Sequence, residues 1–65
     1  MSASQDRERY VRAMIAGRIN ECITIEKQYD LYGYTPELVC IGLSAAAEGK
    51  NTEPAISDYI EGCSA

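Results

Sequence analysis

Among side chains able to do chemistry, this 65-residue chain offers four arginines, two lysines, ten carboxylates, five tyrosines and three cysteines, but no histidine. It therefore lacks the proton-transfer group best suited to neutral pH, which is also the commonest metal ligand. Cys22, Cys40 and Cys63 stand far apart in the chain, without the two-residue separation of a zinc knuckle or redox pair. They read as small hydrophobes in a reducing compartment, with Cys63 placed near the C-terminus for an intermolecular disulfide as the alternative. Glu21, Glu26 and Asp30 do not gather on one side of a helical wheel, so they make no three-acid cluster. No glycine-rich phosphate loop is present, and no serine or cysteine stands beside a plausible base. The chemistry expected is recognition rather than catalysis, with no cofactor and no metal.

The charges are unevenly spread. Residues 1–20 carry four arginines against Asp6 and Glu8, or +2, while residues 21–65 carry two lysines against eight acids, or −6; together they give the net −4. Direct nucleic-acid binding does not suit so acidic a chain. Its acids (Glu37, Glu48, Glu53, Asp58 and Glu61) suit the basic groove of another protein, as in inhibitors that mimic nucleic-acid charge, of the kind small phage accessory proteins use. The alternative is ordinary solubilising charge.

These groups must be positioned by helices, since no strand-like alternation appears. A first long amphipathic helix is expected over about residues 6–30, capped by Asp6 or Ser4. Val11, Met14, Ile15, Cys22, Ile25, Tyr29 and Tyr32 share one face, with Ile19 at its margin and Gly17 as a bend. Gly33-Tyr34-Thr35-Pro36 then marks a boundary, with Thr35 as cap and Pro36 at the first helical position. A second helix over about 36–48 is apolar on nearly all sides and belongs in the middle. A third, over about 53–61, starts from Thr52 and stops at Gly62. The fold expected is all-α: one long N-terminal helix packed against a C-terminal helical hairpin, a small three-helix domain spanning 1–65.

Arg18 falls at the centre of the first helix's apolar stripe. Either its stem covers apolar surface while the guanidinium reaches water or Glu21, or it is a binding arginine. Arg7 lies on the same face, and a guanidinium favours planar anions such as carboxylate or phosphate. Arg7, Tyr10 and Arg18, duplicated in a dimer, are then a candidate grip for an anionic small molecule such as a nucleotide.

From Tyr32 onward the chain resembles the ubiquitin-associated (UBA) three-helix domain. The resemblance rests on Tyr32-Gly33-Tyr34-Thr35, Val39, Leu43, Ala45-Ala46, Gly49, Asn51 and Glu53-Pro54-Ala55-Ile56. Tyr32 and Tyr34 stand where the family has methionine and phenylalanine. The likeness implies three helices packed at right angles and a peptide-binding patch around Tyr32, Gly33, Tyr34 and Ile60.

A domain this small buries only about 60% of its unfolded surface, and its core supplies roughly 3–5 kcal/mol. A homodimer or higher homo-oligomer is therefore expected, with Val11, Met14, Ile15 and Cys22 at the interface. The polar N-terminus and the lack of a long apolar run suggest a cytoplasmic protein rather than a membrane one. The function expected is a non-enzymatic regulator or inhibitor that binds another, larger protein. Alternatives are an anion-binding sponge and a UBA-like peptide-binding module.

Overall fold

A computed structural model describes residues 2–64, with side chains as far as Cys63. Its regular structure is entirely helical: α1 (Ala3–Ile15), α2 (Ile19–Gln28), α3 (Pro36–Ala47) and α4 (Thr52–Ser64). Among the described residues, no helix is long and apolar enough to cross a membrane.

The expected first helix is in fact two. Gly17 adopts a left-handed backbone, φ +76°, a conformation that costs a residue with a Cβ about 1–2 kcal/mol. Around it the amides of Gly17 and Arg18 donate to the carbonyls of Met14 and Ala13, at 3.2 and 2.8 Å. This paired pattern is a Schellman motif, which ends a helix by satisfying its last carbonyls. The chain turns there and α2 packs back on α1.

The same device closes the next two helices. Asp30 and Leu31 donate to Lys27 and Glu26, and Gly49 and Lys50 donate to Ala46 and Ala45. Asp30, at φ +58°, is the one non-glycine residue with positive φ among those described. Leu31, just beyond it, is buried, giving the hydrophobic contact this motif favours.

The caps also differ from expectation. Ser2, rather than Asp6 or Ser4, caps α1 in a reciprocal capping box with Gln5, leaving Asp6 to turn inward. Asn51 rather than Thr52 caps α4, its side-chain oxygen accepting from the Glu53 amide at 3.3 Å. The last helix runs through Gly62 to Ser64, since a glycine within a helix costs only about 1 kcal/mol.

Helix α3 is the middle of the molecule, packed against α1 and α4. The core gathers Tyr10 and Ala13 from α1, Cys22 and Ile25 from α2, Leu31, then Val39 and Leu43 from α3 and Ile56 from α4. Gly42 allows the close approach: a Cβ there would stand 2.8 Å from both Leu31 methyls. With the first helix broken, its single apolar stripe divides in two. Cys22 and Ile25 go inside, while Met14, Ile15 and Ile19 are left on the outside of the turn.

Candidate functional site

Helix α2 is fastened to α1 by polar contacts as well as by Cys22 and Ile25. The Arg9 Nε donates to Glu21 Oε1 at 2.6 Å, and this bond holds the Glu21 carboxyl below its ordinary pKa. The Tyr29 hydroxyl donates to Asp6 Oδ2 at 2.6 Å, which pushes the tyrosine pKa up. The Tyr10 hydroxyl donates to Glu26 at 3.3 Å. Asp6 is wholly buried. Its other oxygen, Oδ1, lies 3.9 Å from Arg9 Nη1, too far for a hydrogen bond. It has no other partner among the described residues.

Two further ion pairs flank this network, Arg12 with Glu8 at 2.7 Å and Arg18 with Glu21 at 3.4 Å. Gln5, Glu8, Arg9, Arg12, Arg18 and Glu21 line a shallow cleft of about 340 Å³. The first end of the molecule thus holds Arg9, Arg12 and Arg18 beside Asp6, Glu8 and Glu21, three charges of each sign.

The expected anion grip does not assemble as drawn. Tyr10 is buried against Glu26, so it is a core residue rather than a ligand contact. Arg7 donates to the Ser44 hydroxyl on α3 at 2.8 Å. Arg18 precedes α2 at its N-cap position, because the helix break takes it out of the stripe. The expected oligomer interface also changes. Cys22 is buried inside the chain, its thiol pKa pushed up by burial, and Val11 is half-buried. Only Met14 and Ile15 remain outside, joined by Ile19, which the wheel had left at the margin.

The other end of the molecule is different in kind. Residues 29–63 hold six acids, Asp30, Glu37, Glu48, Glu53, Asp58 and Glu61, against one base, Lys50, or −5. Among the described residues the one ion pair here joins Lys50 to Glu48, at 3.1 Å. Glu37 accepts a short hydrogen bond from the Tyr59 hydroxyl, which raises the Tyr59 pKa. Glu53, Asp58 and Glu61 are exposed on α4; Asp58 and Glu61 lie on the side of its helical wheel away from the buried Ile56, and Glu53 lies one turn before Ile56 on the same side. Tyr32 is 62% exposed, with Lys27 over its ring at 5.4 Å. Tyr34 joins Asp30, Glu53 and the buried Leu31 and Ile56 in lining a second cleft, of about 270 Å³.

Chemically, this end can attract cations, through carboxylates such as Asp58 and Glu61 that make no ion pair among the described residues and tyrosines that offer contact area. No group of three or more His, Cys, Asp or Glu side chains among the described residues is placed to hold a metal ion. The acidic end was visible in the sequence as net charge. What the sequence left out was that Arg9, Arg12 and Arg18 would be neutralised elsewhere, by Asp6, Glu8 and Glu21. Comparison with known proteins finds no matching family model, no matching curated protein and no matching solved structure.

Proposed function

We propose that this chain is a non-enzymatic interaction protein that uses its acidic end to bind, and so regulate or block, a basic surface on a larger protein. One observation carries the proposal. Asp30, Glu53, Asp58 and Glu61 make no ion pair among the described residues, whereas Arg9, Arg12 and Arg18 are each paired within the first end. Unpaired surface carboxylates of one sign set up a field that steers a basic partner and raises its association rate. Tyr32 and Tyr34 add amphipathic contact area of the type found at binding hot spots.

The test compares the wild-type chain with a variant carrying Glu53→Gln, Asp58→Asn and Glu61→Gln, each immobilised and exposed to cell lysate. A protein captured by the first should be lost from the second, and should be released by about 1 M salt, where the screening length is about 3 Å. Equal capture by both would contradict the proposal.

A second reading is favoured by the cleft at Tyr34. Its apolar floor of Leu31 and Ile56, beside Asp30 and Glu53, suits a short peptide with a basic residue, the kind of ligand that the sequence resemblance to the UBA domain from Tyr32 onward implies. Loss of capture on Tyr34→Ala, with the α4 acids intact, would favour that reading. The nucleotide-sponge alternative predicts a rise in melting temperature with micromolar nucleotide.

A further inference from the structure

We propose that the turn between α1 and α2 is a two-fold interface, docking onto the same turn of a second copy of this chain. Ile15 is 81% exposed and Ile19 is 69% exposed, with Met14 beside them. The same chain buries Ile25, Leu31, Leu43 and Ile56 almost completely. Three large apolar side chains crowding one corner make a patch of the kind that marks a contact. The corner also has a fixed shape, because Gly17 and Arg18 are held by their hydrogen bonds to Met14 and Ala13.

Charge identifies what covers it. The acidic end carries −5 across residues 29–63, so two copies repel each other there. The corner is bordered instead by both signs: Arg12 beside Glu8 and Arg18 beside Glu21. Together with Arg9 and the buried Asp6 these charges sum to zero. A purely acidic foreign groove would meet Glu8 and Glu21, and a purely basic one would meet Arg12 and Arg18. A two-fold contact brings the same patch to itself, so it must complement itself. A patch with both signs beside an apolar centre does so, each arginine of one copy facing a carboxylate of the other.

The recess lined by Gly17, Arg18, Ile19, Asn20 and Glu21, about 430 Å³, gives the opposing isoleucines a place to sit. The apolar centre is smaller than the roughly 800 Å² per partner of a standard interface, so the charged border must contribute and the dimer is a weak, reversible one. Both acidic ends then face outward. The contact does not depend on what those ends bind.

Sedimentation equilibrium on the full chain, under reducing conditions that keep Cys63 from cross-linking, tests the proposal. From micromolar to millimolar concentration the average mass should rise from 7.1 kDa towards twice that value and stop there. Ile15→Asp should weaken association at least tenfold, with its helical circular dichroism unchanged. Dilution of the 15N-labelled wild-type chain should move the amide signals of residues 14–19 and leave those of 53–61 in place, a readout that needs no variant. A monomer at millimolar concentration would overturn the proposal and assign the corner to a foreign protein. So would a dimer that survives Ile15→Asp, a mass that climbs past two copies, or dilution shifts centred on α4.

Discussion

The two ends of this molecule spend their carboxylates differently. Around α1 and α2, Asp6, Glu8 and Glu21 are engaged by arginines or by the Tyr29 hydroxyl, and Asp6 and Glu21 hold two helices together. Around α4, Glu53, Asp58 and Glu61 engage no base among the described residues. A net charge of −4 hides this division, because it sums a nearly neutral, largely paired end (+1 over residues 1–28) with an acidic, largely unpaired one (−5 over residues 29–63). Where charge is left unsatisfied says more about a partner than how much charge there is.

Removing acids from each end should therefore have opposite consequences, and the largest effect is expected at Asp6. Asp6→Ala strips the Tyr29 hydroxyl of its charged acceptor inside a sealed site, and hydrogen bonds to charged groups contribute about 1.5–3 kcal/mol. Against the few kcal/mol available to so small a domain, that is most of its stability. Chemical denaturation should show the midpoint collapsing, and an unchanged midpoint would mean that Asp6 does not fasten α2.

Gly17→Ala should come next. No atom obstructs a Cβ there, so the cost is the left-handed backbone alone, about 1–2 kcal/mol, again read from the denaturation midpoint. If the variant were as stable as the wild type, the two-helix turn would have relaxed towards one continuous helix, and its helical circular dichroism would rise.

Acid should undo the first end by a smaller step. Because Arg9 lowers the Glu21 pKa, their pairing contributes fully above the unfolded glutamate value of about 4.3 and is lost as pH falls through the lower folded value. Thermal melts of Glu21→Gln should accordingly show a shallower loss of stability below about pH 4 than the wild type. Parallel acid limbs would remove Glu21 from the network.

The smallest effect belongs to the other end. Asp58→Asn with Glu61→Gln should change stability by less than about 0.5 kcal/mol, with any change a gain at low salt as repulsion is relieved. A clear loss would show these acids to be structural after all.

Much of this was legible in the sequence. The apolar surround of the helix beginning at Pro36 announced a central element, and Pro36, Gly33 and Gly49 marked its limits. Gly17 was read as a bend because the residues on either side of it, Met14 to Ile25, continue a helical period without interruption. Yet a glycine after a full-length run of helix, in a segment of some 25 residues, is also a stop signal. Tertiary packing resolved the choice: folding α2 back buries Cys22 and Ile25, which a straight helix would leave beyond the reach of a small core. Once the chain turns, Arg18 leaves the stripe and Ile15 and Ile19 come outside, so the expected site and the expected interface changed for a single reason. The burial of Asp6 had no local signal, since it depends on Tyr29, 23 positions away.

The division of charge is open to a direct measurement: titration of the 15N-labelled chain with an oligo-arginine peptide at low salt. The unpaired acids predict amide shifts concentrated around Asp30, Glu53, Asp58 and Glu61, with Asp6, Glu8 and Glu21 left nearly still. Shifts centred instead on Glu8 and Glu21, or spread evenly over both ends, would contradict it.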